Sequence, residues 1–482
     1  MSSPEKASDI ALSLPVDDFD TPEDRALLRK VDLRTNIGNA KLDGLATDLH
    51  VSAPAYNTAL ALYFIGYVIF EVPSNIMFPR LKRFDPQFWL PSLTLVWGIV
   101  SVCQGLVTNQ AGLFGIRFWL FPGVVFLFSV YYRRRERGWR VAIFFGGAAL
   151  AGAFGGKGSS ASAKSIVAYH SAGILAYAIG KMDGIGGRRG WQWIFILEGL
   201  LTIVISLGAY FVVPTWLHSA KFLTEWERER LIARLNADSD AGNEEIFQWV
   251  FVRRAWTDHL VWAYALLFHG FAFVLYSLSL FMPTIIAGLG FATWKAQLMT
   301  VPPNTIAALS IWGTVWLSSK FKVKAPFIIG AAFVAILGYI VLITAPTEGG
   351  QYVGVLLAAA GIYTGNALLL SWPGENVSGQ TKRAVAVAMQ ITIGDIGAIA
   401  GSLVYRPELS KHRYRKPHII AIGYLLFAIV VATYLWINMA YENKRRDRIL
   451  SENGNEEGSS VNATKEGDVN LGDRDVHYRY VI

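Results

Sequence analysis

The sequence predicts an all-α membrane protein built as two helical bundles. Three observations carry that expectation. The 482-residue chain is 53% hydrophobic and only 17% charged, with a mean hydropathy of +0.36, which is more apolar surface than a soluble protein of this size can hide. The apolar residues gather into segments of about 20, the length that crosses a hydrocarbon core as a helix. A polar interruption at 214–257, containing KFLTEWERERLIARLNADSDAGNEE, separates one group of such segments from another.

The elements follow in chain order. The acidic N-terminal stretch has no apolar run, so no cleaved leader is read there and membrane entry falls to the first internal span. Spans are expected at 55–77, 88–107, 113–132, 141–156 and 191–213, then at 260–282, 296–317, 325–344, 353–371, 384–404 and 419–440. That is five before the interruption and six after it, about 11 in all. The interruption itself reads as a short amphipathic helix. Glu225, Glu227, Arg228, Glu229, Arg230 and Arg234 lie on its wet side, and Phe222, Leu223, Leu231 and Leu235 form one stripe. The tail 441–482 is polar and reads as disordered.

Charge supplies the orientation. Basic clusters at Arg80/Lys82/Arg83, Arg133–Arg140, the central loop, Lys320/Lys322/Lys324, Lys382/Arg383 and Lys444–Arg448 recur after every second span. They share one face, which the positive-inside rule makes cytosolic. The basic loop 406–416 is an exception on the opposite face. The net charge of +8 is thereby accounted for without nucleic acid. The sequons at Asn376 and Asn462 fall on the cytosolic face, where they stay unglycosylated. Cys103 is the sole cysteine, which excludes a disulfide framework and a thiolate metal site. No HExxH, no GxSxG and no paired intramembrane acids occur, so neither an enzyme nor a cofactor is expected.

Seven stretches, in order, resemble the fungal anion:cation symporter branch of the major facilitator superfamily. They are RTNIGNAKLDGL (34–45), FEVPSNIMFPRL (70–81), FPGVVF with YYRRRER (121–137), GKMDGIGGRRGWQWIFILEGLLT (180–202), LYSLSLFMPTII (275–286), TVPPNTIAAL (300–309) and SWPGENVSGQTKRAVAVAMQITIGDIGAIAGSLVYRPE (371–408). The resemblance implies a major facilitator fold of two bundles. It divides the chain into 1–54 (an acidic tail with a remnant of the first helix and loop), the N-terminal bundle 55–213, the central loop 214–257, the C-terminal bundle 258–440 and the tail 441–482.

The chain departs from the family pattern in three places. The first helix, which ends in an Asp-Arg pair in the family, is missing before Thr35. The Glu-bearing turn is missing between Arg117-Phe118 and Phe121-Pro122-Gly123. KGSSASAKSIVAYHSA (157–172) interrupts the fifth helix. Ser319 also stands where the family's basic loop motif usually has an acid.

By this resemblance the expected activity is secondary active uptake of a small organic anion with protons, by alternating access. The substrate class is a carboxylate vitamin or nitrogenous acid such as nicotinate, allantoate, pantothenate or biotin. The expected setting is a lipid bilayer, the plasma membrane, with a monomeric chain and a cytosolic C-terminus. The alternative is a non-transporting product of faulty splicing, in which two coding pieces are dropped and one intron is translated.

Candidate site residues follow from the cost of polar groups at membrane depth. Arg117 lies within an apolar segment, where a guanidinium faces a cavity or snorkels to the interface. In a cavity its fork suits a carboxylate in two-point contact. The resemblance pairs it with Arg34. Proton coupling requires a buried carboxylate that exchanges its proton near neutral pH, and Asp395 and Glu71 are the candidates. Glu71 equally fits a gate contact, and Asp395 a group satisfied by its neighbours. Glu198 reads as a residue that holds helix ends together. Tyr67, His269, Tyr276, Asn304, Tyr363, Asn366 and Gln390 could line a midplane cavity or bond helix to helix. Of these, Tyr67, Tyr276, Asn366 and Gln390 are the substrate-lining candidates. No metal partner for His269 lies at ligand spacing. The glycines and alanines of 146–156 suit close helix packing, and Pro283, Pro302 and Pro303 suit helix ends or kinks.

Overall fold

The computed structural model describes residues 64–65, 68–69, 73, 86–107, 139, 142–143, 146, 184–188, 190–212, 224–238, 248–289, 299–405, 414–453, 473 and 475–482. The missing first helix, the missing Glu-bearing turn and the interruption at 157–172 lie outside these residues.

Ten helices organise the described chain: α1 (Pro86–Gly105), α2 (Gly190–Val212), α3 (Glu225–Asp238), α4 (Trp249–Thr257), α5 (His259–Gly288), α6 (Val301–Phe321), α7 (Ala325–Thr344), α8 (Glu348–Asn376), α9 (Gln380–Val404) and α10 (Arg415–Asn453). Five of them, α5 and α7–α10, contain stretches long and apolar enough to cross a membrane. Among the described residues there is no strand.

Local chemistry sets the helix ends. In α3 the expected amphipathic helix opens on a capping box. The Thr224 N–H donates to Glu227 Oε2 at 2.8 Å, and the Glu227 N–H donates to Thr224 Oγ1 at 3.3 Å. Its Leu231 is buried in the core of the C-terminal half, which ties the central connection to that half. Pro302 and Pro303 occupy the first turn of α6, where a missing N–H costs nothing. Lys322 then ends α6 in the left-handed region, with φ of 57°. Thr347 caps α8 by accepting from the Gly350 N–H at 3.2 Å.

Packing within the C-terminal half rests on small residues. Its most extensive pairings are α5 with α9 and α7 with α8. A Cβ on Gly338 would stand 2.4 Å from the Ala358 nitrogen, and one on Gly361 would stand 2.4 Å from the Ala331 carbonyl oxygen. Along α9, a Cβ on Gly397 or Gly401 would come within 2.4 Å of the His269 or Phe273 carbonyl oxygen. In lipid, apolar burial gives helices little reason to associate, so backbone-to-backbone fit and dispersion hold them. In the N-terminal half α1 packs along α2 by the same device, with a Cβ on Gly199 only 2.7 Å from the Val102 nitrogen. From the small-residue stretch expected at 146–156, Gly146 is described, and it lies against the indole of Trp312.

The tail needs correction. Residues 441–482 are expected to be disordered, yet α10 continues unbroken to Asn453, and Asp473 and residues 475–482 pack onto the end of the C-terminal half, while the rest of the tail lies outside the described residues. The Asn376 sequon is also consumed structurally, because that side chain is buried and bonded to Tyr264 and Val481.

Gly338→Ala is expected to lower thermal stability by about 1–3 kcal/mol through overpacking. Gly330→Ala, on the same helix with nothing within 4 Å of its Cβ position, serves as the control. Thermal unfolding in detergent reads both, and equal midpoints would rule out the close α7–α8 approach.

Candidate functional site

The polar residues of the C-terminal half form a run across α5, α8 and α9. Tyr276 on α5 meets Phe64 of the N-terminal half edge-on, with ring centroids 4.7 Å apart. One turn along, Ser279 shares a 2.8 Å hydrogen bond with the Tyr363 hydroxyl on α8. One turn beyond Tyr363 is Asn366, fully buried, whose amide donates to the Ile362 carbonyl at 2.9 Å. Gln390 on α9, also fully buried, donates to the Leu369 carbonyl at 3.2 Å. The side-chain carbonyls of Asn366 and Gln390 accept no hydrogen bond among the described residues.

The Gln390 contact has a backbone cause. Pro373 lies inside α8 and has no N–H to give the carbonyl four residues back, which belongs to Leu369. A freed carbonyl at membrane depth needs another donor. The Gln390 amide supplies it from the neighbouring helix.

Of the sequence-derived candidates, Tyr276, Tyr363, Asn366 and Gln390 therefore stand along one run. Asp395 is buried on α9, a turn and a half beyond Gln390. His269 is a helix–helix contact, its Nδ1 2.9 Å from the Ile393 carbonyl oxygen. Asn304 is buried on α6. Arg34, Tyr67, Glu71 and Arg117 lie outside the described residues, as does the side chain of Glu198.

A second polar cluster closes one end of the same half. Lys324, at the start of α7, pairs with Glu375 near the end of α8 and donates to Ser371 Oγ at 2.5 Å. Lys382, in the first turn of α9, bridges Asp258 at 2.7 Å and Asp473 at 2.5 Å. One ammonium thus serves two carboxylates. Burial pushes the Asp473 carboxyl up, while Lys382 pulls it down. Sequence reasoning counted Lys324 and Lys382 only among the basic clusters that set orientation, and it gave Asp258, Ser371, Glu375 and Asp473 no role. The signal was present in Glu375, an acid placed at the end of an otherwise apolar span.

An all-helical membrane protein with buried amides inside one bundle, and charges neutralised in pairs at its end, has the build of a transporter. The chain belongs to the Major Facilitator Superfamily, whose family model matches residues 33–402. It is 31% identical to the MFS transporter prlL of a fungal species, over 88% of this chain and 84% of that one. It is 27% identical to the high-affinity nicotinic acid transporter of Saccharomyces cerevisiae, over 95% of this chain and 85% of that one. Among solved structures it resembles the proton:xylose symporter XylE, with a TM-score of 0.57 over 81% of this chain and 89% of that one. At 13% identity, that likeness concerns the fold alone. The protein is a multi-pass membrane transporter of a small molecule, and not an enzyme.

Two stability tests follow. Gln390→Leu leaves the Leu369 carbonyl without its donor and is expected to cost about 1–3 kcal/mol. Adding Pro373→Ala restores the helical N–H and should recover most of that loss, as read by thermal unfolding. Lys324→Met takes a cation away from the buried Glu375 and is expected to cost up to about 3–5 kcal/mol. Adding Glu375→Leu should return the midpoint close to its starting value, and a double variant no better than the single would refute the pairing.

Proposed function

We propose that the protein carries a small organic anion of the nicotinate kind inward together with protons, by alternating access of its two halves. One observation carries the reading: the kinship, spanning 95% of this chain, with a protein named as a high-affinity nicotinic acid transporter. The buried amides of Asn366 and Gln390 support it. A carboxylated heterocycle offers ring nitrogen and polar edges to such groups, while its carboxylate calls for a cation.

In this reading Arg117 meets the carboxylate in two-point fashion, with Arg34 as its partner. Tyr67, Tyr276, Asn366 and Gln390 line the path. Asp395 carries the proton, and Glu71 is the second candidate for that task. The chain acts as a monomer in the plasma membrane with its C-terminus in the cytosol, in keeping with the basic clusters beside the spans.

Cells expressing the protein are expected to accumulate labelled nicotinate faster at acid than at neutral pH, and a protonophore should abolish the difference. Arg117→Leu should cut uptake about tenfold or more, since one charge-assisted contact is worth roughly 1.5–3 kcal/mol. Asp395→Asn should flatten the pH dependence. Allantoate, pantothenate and biotin run beside nicotinate decide among the acids. The proposal fails if none accumulates, or if uptake ignores Arg117.

A further inference from the structure

The segment at 475–482 is held mainly through its main chain, by side chains of the bundle end. The Asn376 amide grips Val481 from both sides: its Oδ1 accepts from the Val481 N–H at 2.7 Å, and its Nδ2 donates to the Val481 carbonyl at 2.9 Å. Trp372 Nε1 donates to the same carbonyl at 2.8 Å. Asn443 treats the preceding residue alike, accepting from the Tyr480 N–H at 2.9 Å and donating to its carbonyl at 3.0 Å. Arg446 donates to the Tyr478 carbonyl at 2.8 Å and to the Asp473 carbonyl at 2.9 Å, and its guanidinium lies 4.8 Å from the centre of the Tyr480 ring. The Ile482 carbonyl accepts from the Lys324 N–H at 2.5 Å.

Two features separate this arrangement from ordinary tail packing. Trp372, Asn376 and Arg446 are almost wholly buried, at 0%, 2% and 4% exposure, and much of their hydrogen bonding is spent on this segment. Two successive residues are each pinched at N–H and carbonyl by one amide side chain, so the register of the segment is fixed by its backbone. That is how a groove recognises an extended peptide. The segment itself reaches three helices, α7 at Lys324, α8 at Trp372 and Asn376, and α10 at Asn443 and Arg446, and the neighbouring Asp473 adds α9 through Lys382.

We infer that this bundle end is an exchangeable peptide-binding groove whose resident ligand is the chain's own segment 475–482, and that its occupancy biases the transport cycle. Residues 454–472 join the segment to α10 through a stretch rich in Gly, Ser, Asn and Glu. A ligand that binds one arrangement of these helix ends favours that arrangement over any in which the ends part. This last consequence rests on the alternating-access reading. The groove and its occupant do not.

The test uses the full chain in detergent, with Cys103→Ser, Asp447→Cys on α10 and Arg479→Cys on the segment, and a short bis-maleimide linker. The native Asp447 and Arg479 side chains pair at the surface 2.7 Å apart and take no part in the main-chain grip. Intramolecular cross-linking between the two cysteines is expected to run to high yield. A synthetic peptide spanning residues 473–482, added in excess, should lower that yield several-fold, and a scrambled peptide should leave it unchanged. Arg446→Gln should lower the yield without peptide. Absence of the cross-link would overturn the docking. A yield indifferent to the peptide would make the segment a permanent part of the fold and overturn the exchangeable site. Neither readout involves transport, so a failure here is distinct from a failure of the uptake experiment.

Discussion

A charge or a hydrogen-bonding group enclosed by apolar helices must find its partner within the protein, and much of the C-terminal half is arranged around that requirement. Lys324 has Glu375 and Ser371 within reach. Lys382 stands between two aspartates. Each partnership joins elements distant in sequence, so satisfying the charge also fixes which helix ends meet. Electrostatic need and topology are here the same constraint: the start of α7 must lie by the end of α8, and the start of α9 by the entry to α5.

Between the ends, shape takes over from charge in holding the helices together. Helices in lipid gain little by hiding apolar side chains from one another. The closest pairs therefore approach through glycine, with Gly338 and Gly361 bringing α7 and α8 into backbone contact and Gly397 and Gly401 doing so for α9 against α5. Contacts of this kind are stiff, since any side chain at those positions would overlap the neighbouring backbone. The C-terminal half is thus laced by glycine seams along its length and by ion pairs at one end.

Much of this was legible in the sequence. The fold class and family followed from hydropathy, the central polar break and the ordered motifs, and the span at 325–344 coincides with α7 (Ala325–Thr344). Other ends were missed for physical reasons. The span at 353–371 is too short for α8 (Glu348–Asn376), because Pro373 and Glu375 look like an end signal while the helix continues through both. At 441–453 and 475–482 the expectation of disorder did not hold, because low apolar content predicts disorder only where no side chains reach out to bind the backbone. Tyr276, Asn366 and Gln390 were singled out one by one as polar groups on apolar helices, and the structure places them along one run. What hydropathy could not supply was the partner of each, since a hydrogen bond between helices leaves no periodic trace.

Pro373 shows how the two polar regions are linked. By withholding an N–H it exposes the Leu369 carbonyl, and Gln390 must come across from α9 to satisfy it. Three positions further along α8, Asn376 holds the docked segment, and two further, Glu375 holds Lys324. The stretch 366–376 of α8 therefore carries a buried amide, an inter-helix bond made necessary by proline, and the anchor points of the bundle end. A shift of that end, whether by loss of the ion pair or release of the segment, acts on a helix already weakened by one backbone bond. The Gln390 contact is where such a shift would be felt, because a proline-freed carbonyl is held by a side chain that can move rather than by the helix itself.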